Sequence, residues 1–436
     1  MSSFSNTPGP FSGNINIGRD TTPLGHNAPI IKPEERTIKF ASPDMSNTEI
    51  KMVNDTIKSR WITNGPKVRK FEKRVAEISR CDRAVAFDSC TAAMELTLRA
   101  LGIGRGDEVI TTPYTYSATA EVIRNVGAKI VFVDLDDESF EMNYAQVEAA
   151  ITEKTKAVIP VDIGGKLCNY ESLIAALTSR KDIFKPKNKT QETIGRVIII
   201  ADSAHSFGAS LNGRVCGEYA DFTCFSFHAL KNITTGGEGG AVVWKNIKGI
   251  DNDSLETTLR LLADHGQTSR DKSKGWEYDI ALFGYNSIMT DIDAAMGIAQ
   301  LDRFEEMCYK RKKITETYNT LFSKNSIIKP LIKHFDENYA SAMHLYPIRL
   351  PDYVGGEEGR NTIFNQLREA GIPCNVHYKP LPMMTAYKNE GFKIDDFPNS
   401  YKMFASLLSI PYHTELTEAE QIRIVNEIER VVKQFE

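Results

Sequence analysis

Between residues 83 and 301 short apolar runs alternate with stretches of helical periodicity, and this rhythm restricts the fold more than any other feature of the chain. AVAFD is followed by TAAMELTLRALG, EVITTP by SATAEVIRNVG, KIVFVDL by YAQVEAAIT and AVIPVDI by YESLIAAL, and RVIIIAD closes the series. Strands separated by helices in this way predict an α/β architecture, a mostly parallel central sheet with helices on both faces. Ligands of such sheets collect at the carboxyl ends of the strands. Thr91, Tyr116 and Asp202 all follow strand-like runs there.

The flanks read differently. Residues 1–36 are rich in Ser, Asn, Thr, Gly and Pro without a sustained period, the pattern of a flexible leader. SNTEIKMVNDTIKS then predicts a helix with a capping box, Ser46 or Asn47 ahead of Glu49, and apolar Ile50, Val53 and Ile57 on one face. A second helix is predicted over 67–78, and residues 181–195 read as a polar insertion. Beyond about residue 310, the strand-like SAMHLYPIRL, the helical GRNTIFNQLREAGI and a capping box at Thr417 and Glu420 describe a smaller α+β unit. At 436 residues the chain exceeds one core, since domains run about 100–200 residues. The expected division is a leader at 1–36, a large domain at 37–310 with an N-terminal helical segment, and a small C-terminal α+β domain at 311–436.

Within the large domain, RVIIIADSAHSFGASLNGRVCGEYADFTCFSFHALKNITTGGEGG carries the chemistry. Asp202 ends one apolar strand, and 29 residues later Lys231 follows another, ahead of Gly236, Gly237, Gly239 and Gly240. A lysine amine can condense with an aldehyde, and a carboxylate fixed across the site can keep a pyridine nitrogen protonated. Alone, an aspartate at a strand end is a turn residue and a lysine a surface charge. The glycine cluster weighs against that, because it marks backbone packed closely or taking positive φ.

FSFHALKNITTGGEGG at 225–240 resembles the active-site motif of the DegT/DnrJ/EryC1/StrS family of sugar aminotransferases, which use pyridoxal 5'-phosphate (PLP). The resemblance extends through WITNGPKVRKFEKRVAE near 61–77, FDSCTAAMELTLRALGIGRGDEVITTPYTYSATA at 87–120, GYNSIMTDIDAAMGIAQL at 284–301 and GIPCNVHYKPL at 371–381. It covers roughly residues 38–436. It implies a fold-type I, aspartate-aminotransferase-like architecture and a homodimer with sites shared at the interface.

By the same resemblance Lys231 is the catalytic residue, bonded to the cofactor at rest and afterwards the base and acid that moves a proton. Asp202 pairs with the pyridine nitrogen and His205 lies near the phenolic oxygen. The turn at Cys90, Thr91 and Ala92, backed by a helix dipole, holds the phosphate together with Ser226, with Ser89 or Thr91 serving also as helix cap. Asn286 reaches the phosphate from the partner subunit. Tyr116 stacks on the ring, with Tyr114 a weaker candidate. His377 and Tyr378 match an element near the sugar, with packing an equal alternative.

The implied reaction moves an amino group, from glutamate, to a keto-sugar carried on a nucleotide, with pyridoxamine phosphate (PMP) as the alternate cofactor form. A sugar dehydratase on the same cofactor would replace the lysine with histidine; His228 is present, but so is Lys231. A non-catalytic regulator would not need Lys231, Asp202 and Ser226 together. Two departures bear on substrate preference: Ser287 and Ile288 stand where relatives have an aromatic residue and arginine, and Asp162 where many have histidine.

Composition narrows the partners. A formal net charge of -4 and short, interrupted lysine runs argue against nucleic acid. Seven cysteines, odd in number and without a CxxC pair, argue for a reducing cytoplasm and against a disulfide framework or a metal site. Nor does an apolar run approach the roughly 18 residues of a membrane span.

Overall fold

In the computed structural model the described residues are 37–268, 275–324 and 327–436, so the leader reading of 1–36 lies outside them. The alternating segments form a seven-stranded sheet from β1 (Arg83–Phe87), β2 (Glu108–Thr111), β3 (Lys129–Phe132), β4 (Thr155–Ile159), β5 (Ile198–Asp202), β6 (Phe222–Ser226) and β7 (Gly240–Trp244). The spatial order is β1-β7-β6-β5-β4-β2-β3. Strands β2 to β6 pair in parallel, and β7 runs antiparallel to both β1 and β6. A parallel sheet must be covered on both faces, which is why every residue of β4 and β5 is buried and β5 is apolar up to its last residue, Asp202.

The two faces divide residue by residue. Val158, Ile199, Ala201, Phe225 and Val243 join one apolar cluster, while Ala157, Ile198, Ile200, Cys224 and Val242 join another, as a period of two requires. Each buried branched side chain contributes about 1.5–3 kcal/mol relative to exposure. The first cluster takes in Phe71 and Val75 from helix Pro66–Ile78 and Ile298 from helix Asp291–Asp302. Helix Cys90–Ala100 packs on the other with Met94 and Leu98.

At the N-terminal side, helix Asn47–Ser59 starts at Ser46 with the expected capping box to Glu49, but its predicted apolar face is turned outward. Ile50 is 66% exposed and Ile57 52%. Ion pairing decides the orientation: buried Glu49 accepts from Gln300 Nε2 at 2.9 Å and pairs with Arg303 at 3.0 Å, so the helix docks by its polar side. The 181–195 insertion is more ordered than its polarity implied. It contains helix Lys189–Ile194, whose fully buried Gln191 donates to the Leu101 carbonyl at 2.9 Å.

Residues 38–436 form one compact unit. Its C-terminal part carries a separate antiparallel sheet in which Tyr346–Arg349 lies between Lys329–Pro330 and Leu407–Ile410. The capping box at Thr417 and Glu420 is present and opens helix Glu418–Val432. The loop 375–381 leaves this sheet and reaches back to the large one, where Leu381 N–H donates to the Pro113 carbonyl at 2.8 Å.

Candidate active site

A cavity of about 660 Å³ opens at the carboxyl ends of β1, β5 and β6. Asp202 and Ser226, the last residues of their strands, line it together with Cys90, Thr91 and Tyr116. Lys231 and His205 line it too, and the 375–381 loop adds His377 and Tyr378 from the C-terminal part. Two expected residues stand apart. Ala92 does not line the cavity, since its amide donates to the Ser89 hydroxyl at 3.1 Å in a helix cap. Asn286 is exposed, paired across the chain with Asp264, and outside the cavity of this single copy.

Asp202 is held by its neighbours. Oδ2 accepts from Thr119 Oγ1 at 2.6 Å and Oδ1 from the Ala204 amide at 3.2 Å. Burial raises its carboxyl above the ordinary range, opposed by those two donors and by the charge of Lys231. The same desolvation brings the Lys231 ammonium down to about 8, against the pull of Asp202. Among the described residues the Lys231 ammonium has no ion-pair partner, so its amine is available to a ligand.

The lysine loop is shaped by its glycines. Phe227 N–H donates to the Gly239 carbonyl at 2.8 Å, and Ala229 N–H to the Gly237 carbonyl at 3.1 Å. Gly239 sits at φ +158°, and a Cβ there would lie 1.9 Å from Thr235 Oγ1. A Cβ on Gly240 would lie 2.3 Å from the Cys90 nitrogen. The glycine cluster therefore lets β7 pack directly against the start of helix Cys90–Ala100. Ser89 caps that helix, and the amides of Cys90 and Thr91 take no acceptor among the described residues. Two free donors at the positive end of a helix dipole fit a phosphate.

A histidine–tyrosine network forms the opposite wall. His205 Nδ1 accepts from the Gly164 amide at 3.2 Å, and burial drives its pKa well below the usual range. The neutral ring then carries its proton on Nε2 and donates to the Tyr378 hydroxyl, 3.2 Å away. The Tyr378 proton is thereby left for a ligand. His377 Nδ1 contacts the Ser409 hydroxyl at 2.9 Å, and burial lowers its pKa to about 4. Tyr116 is 64% exposed, its ring 6.3 Å from that of Tyr378, whereas Tyr114 is fully buried and donates to the His377 carbonyl at 2.9 Å.

Sequence reasoning passed over several lining residues. His344, its ring 4.3 Å from His205, has Nδ1 2.9 Å from Asn232 Oδ1, and Asn232 Nδ2 donates to the Ala342 carbonyl. Phe40 stacks on His377 at 5.7 Å. Nothing local marks either residue. Both reach the cavity from segments remote in sequence.

The departures lie away from the cavity. Asp162 is buried outside it, accepting from Ser203 and Ser206 hydroxyls at 2.8 Å each and from the Cys168 amide at 2.9 Å; burial raises its pKa to about 6. It braces the turn after Asp202 and does not line the cavity. Ser287 accepts from the Asp88 amide at 3.0 Å and Ile288 bridges Phe87, so both support the turn before helix Cys90–Ala100.

A lysine at a sheet's carboxyl edge, a buried carboxylate facing the same cavity and a helix start with free amides define a fold-type I PLP-dependent transferase. The chain belongs to the DegT/DnrJ/EryC1/StrS aminotransferase family, whose model matches residues 43–429, and it is a PLP-dependent aminotransferase. The PMP form of Spr1654 from Streptococcus pneumoniae, assigned as a sugar aminotransferase, is 42% identical, with 92% of this chain and 98% of that one covered and a TM-score of 0.88. PseC of Helicobacter pylori, an aminotransferase involved in pseudoaminic acid biosynthesis, is 25% identical with a TM-score of 0.78, covering 92% of this chain and 100% of that one. SpsC of Bacillus subtilis, a spore coat polysaccharide biosynthesis protein, is 32% identical over 411 residues, 93% of this chain and 99% of the relative.

Proposed function

We propose that the enzyme transfers an amino group from glutamate to a keto group of a nucleotide-linked sugar in the biosynthesis of a surface polysaccharide, glycan or amino-sugar metabolite. The observation that carries this reading is that Lys231 and Asp202 line one cavity whose other wall, His377 and Tyr378, comes from the C-terminal part. When bound, PLP supplies an aldehyde that takes up the donor's amino group as PMP, and an electron-poor ring that eases loss of the neighbouring proton.

The residues divide the work. Lys231 would hold the aldehyde, and its free amine would take a proton at Nζ and return it one bond away, which its pKa of about 8 suits near neutral pH. Asp202, oriented by Thr119, keeps a proton on the ring nitrogen. The Cys90 and Thr91 amides and the Ser226 hydroxyl would hold the phosphate, with Tyr116 and His205 available to the ring from the same cavity. Tyr378, its hydroxyl proton directed away from His205, donates to the substrate oxygen.

A homodimer completes this arrangement in our reading. Trp276 is 77% exposed and Phe283 98%, on the segment that carries Asn286, which would then reach the phosphate of the other copy. The large domain at 37–310 and the small one at 311–436 would close over the substrate. We place the enzyme in the cytoplasm, in keeping with free cysteines; among the described residues no helix is long and apolar enough to cross a membrane. The test is incubation of PLP-loaded protein with glutamate and UDP-, dTDP- or GDP-linked 3-keto and 4-keto sugars. Aminated product is expected with one of them, and none with any would refute the substrate class.

A further inference from the structure

The cavity's charges are unevenly supplied. Among the described residues its lining carries two carboxylates, Asp202 and Glu238, and two ammonium groups, Lys231 and Lys379. Three of its histidines, His205, His344 and His377, are kept neutral by burial. His228 is turned to Glu238, its Nε2 4.0 Å from the carboxylate. In the function proposed above Lys231 is taken up by the cofactor, and among the described residues no arginine lines the cavity. Ile288, bridged to Phe87 at the end of β1, brings no charge.

Lys379 is exposed at this cavity and has no ion-pair partner among the described residues. Its loop is fastened on every side. Asn375 exchanges backbone bonds with Ser409 at 2.9 and 2.8 Å, His377 Nδ1 meets the Ser409 hydroxyl at 2.9 Å, Tyr378 is held by His205 at 3.2 Å, and Leu381 is tied to Pro113 at 2.8 Å. A flexible side chain on a fixed loop loses little loop entropy when it takes a ligand, and an unpaired ammonium beside neutral walls favours a negative group.

We propose that Lys379 is the anion subsite of this active site, holding the negatively charged part of a substrate, a diphosphate or a carboxylate, while the reacting carbon lies near Lys231. The proposal deepens the function proposed above and supplies the residue that discriminates charged from neutral amino-group acceptors or donors. Both sources share one chemistry, oxyanions that accept from an ammonium.

The test uses PLP-loaded protein and ligands that cannot turn over: UDP, dTDP and GDP for the nucleotide arm, glutarate for the donor arm, each titrated against wild type, Lys379→Gln and Lys379→Arg. Lys379→Gln should weaken one arm about tenfold, Lys379→Arg should restore most of that affinity, and the salt dependence of binding should flatten in Lys379→Gln. Loss in the nucleotide arm assigns the diphosphate and loss in the glutarate arm the carboxylate. Unchanged affinity in both arms, or wild-type protein that binds none of the probes, overturns the subsite. If wild type aminates no nucleotide-linked sugar yet Lys379→Gln loses glutarate, the substrate class falls and the subsite stands.

Discussion

Thr119 Oγ1 donates to Asp202 Oδ2 across 2.6 Å, and Thr115 Oγ1 lies 2.8 Å behind it. A hydroxyl has one proton, so when Thr119 gives its own to the carboxylate, Thr115 must be the donor in the threonine pair. The carboxylate that would face the ring nitrogen in our reading is thus oriented by a two-hydroxyl chain from the segment after β2. Thr119→Val removes the charged hydrogen bond while keeping the volume. We expect PLP affinity of the apoprotein to fall about tenfold, read by absorbance titration; unchanged affinity would leave Asp202 oriented by the Ala204 amide alone.

Lys231 gives a pH-dependent prediction. Its folded pKa of about 8 lies below the roughly 10.4 of a free lysine. Between those values the unfolded chain binds the extra proton, so this group makes apoprotein stability rise with pH from about 8 to about 10. Below pH 8 the buried ammonium is a standing cost. Lys231→Met should abolish turnover yet stabilise the apoprotein by about 1–3 kcal/mol at pH 7, a gain that shrinks toward pH 10. Chemical denaturation at both pH values checks it, and a destabilised variant at pH 7 would contradict the desolvation account.

Much of this was legible because local pattern and global fold agree. The β-branched run VIIIAD at 197–202 reads as a buried strand and forms one, and the glycines after Lys231 announce close backbone approach, which Gly239 and Gly240 realise against Thr235 and Cys90. What escaped depends on partners distant in sequence. The apolar spacing of Ile50 and Ile57 was correct as a helix but gave no sign that Glu49, held by Arg303 some 250 residues away, would turn the stripe outward. Asp162 stands where many relatives have histidine, and only its hydrogen bonds to Ser203 and Ser206, about forty residues away in sequence, show that it lies outside the cavity. His344 and Phe40 carry no motif at all.

Gly240 offers a test of the phosphate turn. Its missing Cβ leaves 2.3 Å to the Cys90 nitrogen, and that contact is backbone, which cannot swing aside. Gly240→Ala must push the start of helix Cys90–Ala100 away from β7, at about 1–3 kcal/mol of overpacking. We expect a lower Tm together with weakened PLP binding, and inorganic phosphate should protect wild-type apoprotein against heat but protect the variant less. Equal phosphate protection would separate the turn from anion binding.

Tyr378→Phe isolates the hydroxyl next to His205. The ring keeps its packing against Tyr116 and the loop keeps its Ser409 and Pro113 anchors, so Tm should move by less than about 1 kcal/mol equivalent. Positioned proton donors contribute about 10²–10⁴-fold. We expect kcat for sugar amination to drop by about 100-fold with PLP affinity kept, and the half-reaction with glutamate to be less affected. A variant as fast as wild type would reduce Tyr378 to packing.

Phe283 is 98% exposed and stands three residues before Asn286, with Trp276 and Tyr278 also exposed on the same segment. Apolar area of this kind is costly in water unless covered, and our reading covers it with a second copy. Phe283→Glu would place a charge in that contact. Sedimentation should then move from dimer to monomer, and PLP affinity should fall in parallel because Asn286 no longer reaches the neighbouring phosphate. Asn286→Ala is the control that separates the two effects: it should weaken PLP while leaving the dimer intact. If Phe283→Glu sediments as wild type does, the interface lies elsewhere; if it becomes monomeric with PLP affinity unchanged, each copy holds its phosphate without help.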